Sequence, residues 1–199
     1  DFYGFPDELF AFEYPAPGSP ALAARVAELV APTWIGQDHD SWGLDHGTWS
    51  VLAHMFPPAD VPVVQLSIDA TKTYEQHIAL GAALAPLRDR GVLIVASGNV
   101  VHNLGLVDWS RAEGGYDWAD RFDNAARDLI TTTPADVPAL AGHPDHRTAV
   151  PTPDHFMPWL YLAGLASVAS PDERVETFCE SRVLGALSMT SYALDARTN

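Results

Sequence analysis

Two short apolar runs constrain this chain more than any other feature. Val61-Pro-Val-Val-Gln-Leu-Ser-Ile68 and Val92-Leu-Ile-Val-Ala96 each read as a strand. Their near-continuous apolar content predicts burial on both faces. Between them, Thr73 and Gln76 have the spacing of a capping box. The helix that follows would carry His77, Leu80, Gly81, Leu84 and Leu87 on one face. Pro86 should weaken its last turn and Gly91 should close it. Strand, helix and strand within about 35 residues predict a βαβ unit with parallel strands and a right-handed crossover.

The rest of the chain fits the same scheme. Ser19 and Pro20 suit the cap and first turn of a helix whose buried stripe is Leu22, Val26, Leu29 and Val30. A helix from about Trp118 to Ile130 should face inward through Trp118, Phe122, Ala125 and Leu129. Residues 132–152, rich in Pro, Asp, Thr and His, read as a long polar loop of functional or mobile kind. A helix starting at Thr152 and Pro153 is apolar nearly all round and therefore predicted to be buried. Arg182–Leu194 alternates as a closing strand would. The predicted architecture is α/β: residues 1–199 form a single three-layer domain with a mostly parallel central sheet. The chain opens on Asp1 and not on methionine, so its N-terminal part is read as missing.

Charge narrows the partners. With 26 acidic and 11 basic residues the net charge is −15, which argues against nucleic acid and anionic membranes. No apolar stretch approaches the roughly 18 residues needed to span a bilayer. The one cysteine, Cys179, cannot close an internal disulfide, and a reducing cytoplasm is the expected home.

Chemistry, if present, rests on histidines. There are eight, and none forms a tight metal signature such as His-Glu-x-x-His. His77 reads as a core histidine and His54 as packing, while His143 and His146 are expected to be solvated. His102 follows a predicted buried strand and a Ser97-Gly98-Asn99 turn, at the carboxyl edge where α/β sheets gather ligands. His155 is predicted in the first turn of a buried helix, whose positive end favours neutral, metal-binding imidazole. His46 stands between Asp45 and Gly47, flanked by Trp42 and Trp49. Aromatic walls and an adjacent carboxylate suit a general acid/base. A turn fixed by Asp45 and Gly47, with the tryptophans as core anchors, fits the same residues.

Taken together, Trp42-Gly-Leu-Asp-His-Gly-Thr-Trp49, Ser97-Gly-Asn-Val-Val-His-Asn103 and Pro151-Thr-Pro-Asp-His-Phe156 resemble the class III extradiol ring-cleavage dioxygenases. The match is to their DOPA extradiol dioxygenase-like branch. Gly4-Phe5-Pro6, Tyr14-Pro-Ala-Pro-Gly18 and Gly185-Ala-Leu-Ser-Met189 look like the same branch. The resemblance implies a mononuclear metal at the edge of an α/β sheet, Fe(II) in active enzymes and sometimes zinc in isolated ones. It implies that His102 and His155 lie at that metal and that His46 belongs to the catalytic pocket. For His102 a second role, acid/base toward the substrate hydroxyl, stays open. Family members also carry His-Gly-Ser-Pro and Ser-Ala-His motifs, and neither occurs here. The function expected is opening of a catechol-type aromatic diol with O2, provided the further ligands are supplied. A zinc-dependent hydrolase or a non-catalytic remnant on the same scaffold is the alternative.

Overall fold

The computed structural model describes residues 6–195. Of the motif residues above, Gly4 and Phe5 lie outside them. The chain divides into two compact units, Asp1–Ser67 and Ile68–Asn199.

The first unit holds α1 (Asp7–Phe10), α2 (Pro20–Leu29) and α3 (His46–Met55). Ser19 Oγ accepts from the Leu22 N–H at 3.3 Å, and Pro20 fills the first position of α2, where a missing N–H costs nothing. Val26 is its buried position, and Val30, which ends the helix, is buried as well. The Asp45 carboxylate caps α3 by accepting from the Thr48 N–H at 2.9 Å. The Asp45 cap places His46 as the first residue of the helix, with Gly47 inside it.

In the second unit, α4 (Tyr74–Leu84) opens with both halves of the Thr73–Gln76 capping box. The helix gives way at Ala85, just before Pro86, to a 3-10 stretch (Ala85–Arg90) closed by Gly91 at φ 72°. Beyond it come α5 (Asp117–Thr132), α6 (His146–Ala149) and α7 (Met157–Ser167). Strand β1 (Val175–Phe178) pairs antiparallel with β4 (Ser191–Leu194), and β2 (Arg182–Val183) with β3 (Leu187–Ser188). The turn between β2 and β3 takes Leu184 and Gly185 to φ 54° and 74°. Phe122, Ile130, Phe156 and Leu160 form the centre of the core, with at most 1% of their surface exposed.

α4 meets α7 through two glycines. A Cβ on Gly81 would overlap the Tyr161 carbonyl oxygen, and one on Gly164 would overlap the carbonyl oxygen of Ile78. The helices thus touch backbone to backbone, which only hydrogen at both positions allows. α7 shows no polar face because it is enclosed by neighbours, as its sequence predicts.

Several expectations are corrected. Among the described residues no parallel ladder is present; the four strands pair antiparallel, and Gly115 and Gly185 make a lone parallel bridge. Segments 61–68 and 92–96 are extended but belong to no ladder. They are not buried on both faces either: Val61, Leu93 and Val95 are 42%, 63% and 44% exposed. Apolar content encodes an extended shape, whereas a strand also needs a neighbour for its amides, and the amides of residues 93–98 meet no backbone acceptor among the described residues. The polar stretch 132–152 is not a loose loop. It winds into a 3-10 helix (Pro134–Gly142) and α6, and it buries Val137, Leu140, Ala149 and Val150. His143 and His146 are half-buried against the Phe122 ring, not solvated. His54 is exposed instead of packed. Arg182–Leu194 breaks into three short strands because the positive-φ turn reverses the chain. Among the described residues no helix is long and apolar enough to cross a membrane.

Replacing Gly164 with alanine should destabilise the protein by about 1–3 kcal/mol, the usual cost of forcing extra volume into a packed contact. A lowered urea midpoint would show it, and an unchanged midpoint would mean the helices part freely.

A second test uses acid. Arg88 Nη2 lies 2.6 Å from Glu173 Oε1, and Ser170 donates to Glu173 Oε2 through its N–H at 2.8 Å and its Oγ at 2.7 Å. Burial pushes the Glu173 carboxyl up, but these donors and the guanidinium outweigh it and hold the group at about 2, below its usual 4.5. The folded value is the lower one, so this stabilisation is present above pH 4.5 and is lost as pH falls toward 2. Urea unfolding at a series of pH values should show a shallower loss of stability across that window in Glu173→Gln than in the parent. Equal slopes would remove the ion pair from the account.

Candidate metal centre

The second unit brings His102 and His155 side by side. Their ring centroids are 3.6 Å apart with planes 12° from parallel. His102 arrives there on the segment after the fully buried Val101. Its N–H donates to the Ala149 carbonyl at 2.9 Å, and it bridges antiparallel to Leu187 of β3. On either side, Ser188 N–H donates to the Val101 carbonyl at 3.0 Å and Asn103 N–H to the Ala186 carbonyl at 3.1 Å. The Asn103 side chain adds a bond to the Thr148 carbonyl at 2.8 Å. His102 is therefore fixed from two directions, by β3 and by α6.

His155 comes from the turn before α7. It precedes the helix by two residues instead of lying in its first turn as predicted, because Pro153 closes a tight turn onto Phe156 and Met157 first. Gly98 packs against this turn so closely that a Cβ there would overlap the His155 carbonyl oxygen. The same carbonyl accepts from the Asn99 N–H at 2.9 Å. Residues 97–99 thus run with their backbone against the His155 turn.

Electrostatics favour lone pairs over protons at His102. Burial and the neighbouring His155 hold its imidazole below the ordinary histidine value, against a weaker pull from Asp154. Asp154 Oδ2 lies 3.5 Å from His155 Nε2. Burial raises the Asp154 carboxyl, but the Thr152 hydroxyl, a backbone amide and the two imidazoles bring it below its usual value. A neutral imidazole, a second imidazole in contact and an ionised carboxylate beside them form a donor set suited to a borderline divalent cation.

The fit is partial in two respects. Nearly parallel rings cannot both direct in-plane lone pairs at one point, so one ring must turn about its side-chain bonds to share a cation. No group of three His, Cys, Asp or Glu poised for a metal occurs among the described residues. Two imidazoles supply two of the three or more protein ligands usual at such ions, and a further donor is needed.

His46 belongs to the first unit and is exposed at the start of α3. Its expected aromatic walls differ from each other. Trp49 stacks on Phe12 at 4.7 Å, while Trp42 is 86% exposed.

Sequence reasoning missed the residues that hold the pair in place. Asp123 is 1% exposed on the inner face of α5, and it accepts from Ser188 Oγ at 2.5 Å, Thr190 Oγ1 at 2.7 Å and Arg182 Nη2 at 2.8 Å. The available signal was a carboxylate inside the buried stripe formed by Ala119, Phe122, Ala126 and Ile130. Buried charges are paired, so such a residue implies a partner elsewhere.

Comparison with known proteins places the chain. Residues 1–193 match the model for the catalytic LigB subunit of aromatic ring-opening dioxygenase. A 4,5-DOPA dioxygenase extradiol from Escherichia coli K12 is 44% identical, over 98% of this chain and 72% of that protein. One from Beta vulgaris is 37% identical over 96% of this chain and 72% of the relative. The crystal structure of an uncharacterized protein from Escherichia coli K12 superposes with a TM-score of 0.83 at 42% identity, covering 92% of this chain and 76% of that one.

Proposed function

The chain belongs to the LigB family of aromatic ring-opening dioxygenases, an oxidoreductase family, and on that premise we propose that it opens a catechol-type diol with O2 in an Fe(II)-dependent extradiol reaction. The observation that carries this reading is the contact between His102 and His155, two imidazoles from segments more than fifty residues apart in sequence. The relatives named 4,5-DOPA dioxygenase extradiol support an aromatic diol as substrate. The reach of the family model over residues 1–193 supports reading the chain as one catalytic domain.

His102 and His155 would hold the ion, together with a further donor. When bound, Fe(II) supplies a Lewis-acidic centre at which a diol and dioxygen are gathered with the right mutual orientation. Zinc is the ion that could replace it on isolation, since imidazole suits both. The protein's own part is positioning and proton handling. His102, held below its ordinary value, keeps a lone pair free at a ring nitrogen. Asp154, 3.5 Å from His155 Nε2, sets a carboxylate beside that ring and favours its proton on that side. His46 serves as the acid/base, an imidazole nitrogen accepting the proton of a substrate hydroxyl. The exposed Cys179 suits a reducing cytoplasm.

The test is oxygen uptake on catechols, DOPA among them, after anaerobic Fe(II) loading, with the yellow ring-opened semialdehyde followed by absorbance. Loaded protein that neither consumes oxygen nor forms the semialdehyde from any of these diols would end this reading. His155→Ala should lose metal and activity together, and full iron occupancy in that variant would contradict its role as ligand. His46→Ala should keep the metal and turn over about 10²–10⁴ times more slowly, the range of acid/base groups. An unchanged rate would return His46 to its capping turn.

A further inference from the structure

Asn99 makes two hydrogen bonds that pull on two different parts of the candidate centre. Its N–H donates to the His155 carbonyl at 2.9 Å, and its Nδ2 donates to the Ser188 carbonyl at 2.7 Å. Ser188 is the β3 residue next to Leu187, which bridges His102, and its own N–H holds the Val101 carbonyl. Asn99 therefore joins the turn that presents His155 to the strand that presents His102. Gly98, with no room for a Cβ beneath the His155 carbonyl, keeps this junction short. The strand end of the link is fixed in turn by Asp123, through the Ser188 hydroxyl at 2.5 Å.

From this arrangement we propose that Asn99 is a positioning residue for the His102–His155 pair, its side-chain amide setting the separation and mutual tilt of the two rings through the Ser188 carbonyl. The inference rests on the reading of that pair as metal ligands only for its functional consequence. Its geometric content stands alone. An amide is required because the partner is a carbonyl: only a donor satisfies it, and a carboxylate at the same place would face it with like partial charge. Residues one bond removed from ligands commonly change metal affinity by about 10–100-fold when lost.

The experiment compares Asn99→Ala and the isosteric Asn99→Asp with the parent protein, with Ser167→Ala as a control. The control loses a bond of similar length, Ser167 Oγ to the Gly164 carbonyl at 2.7 Å, far along α7 from the histidines. Two readouts are taken on each: the ring-proton NMR shifts of His102 and His155, and Zn2+ affinity by competition with a chelating indicator. Rings stacked at 3.6 Å shield each other's protons. Both Asn99 variants should lose most of that shielding and bind Zn2+ about 10–100-fold more weakly, while Ser167→Ala matches the parent in both. Parent-like ring shifts in folded Asn99→Ala and Asn99→Asp would overturn the proposal, as would equal changes in Ser167→Ala. Ring shifts that move in a protein whose parent form takes up no Zn2+ would uphold the role of Asn99 and count against the metal reading instead.

Discussion

A single buried carboxylate organises the C-terminal half of the second unit. Asp123 projects from α5 into the core and draws in Arg182 from β2, Ser188 from β3 and Thr190 just beyond it. Strands of two residues have almost no stability of their own. Held to a helix by three donors on one carboxylate, they become a rigid strip. Taking away one partner of such a buried pair typically costs about 3–5 kcal/mol, because the other is left charged and dry. The strip matters because His102 leans on it through the bridge to Leu187.

Several helices of each unit were legible in the sequence, and for local reasons. The capping box at Thr73, the proline at the head of α2, the break at Pro86 and the reversal at Gly91 all formed as read. Each depends on a few neighbouring atoms, so a few residues encode it. α5 was legible in extent, though its inner face centres on Ala119, Phe122, Asp123, Ala126 and Ile130, one step round from the stripe expected. The parallel sheet was not recoverable in the same way. An apolar run states that a segment prefers to be extended, and its neighbours in a sheet are a property of the whole fold. The stretch 132–152 misled for the opposite reason, since prolines that discourage α-helix still permit 3-10 turns, and its valines and leucines are few but fully used.

The candidate centre shows the same division. Motif and position singled out His102 and His155, and the fold sets them in contact. What sequence could not show is how they are held, because Asn99, Ser188 and Asp123 act through bonds that cross 89 and 65 residues of chain. His46 remains attached to its motif alone: the Asp45 cap explains its place on α3 without reference to catalysis. Family membership, shown over nearly the whole chain, supplies the chemistry that two imidazoles by themselves leave unspecified.

The extended segment at 92–96 carries a further consequence. Leu93 and Val95 lie open to water beside a row of amides with no acceptor among the described residues. Such a row is a template for another extended backbone, and copies of the chain offer one another the same template. What opposes their association is the net charge of −15 and its mutual repulsion. That repulsion reaches only about 10 Å at 0.1 M salt and about 3 Å at 1 M. Rising salt therefore shortens the reach of the one force here that holds such exposed backbone edges apart.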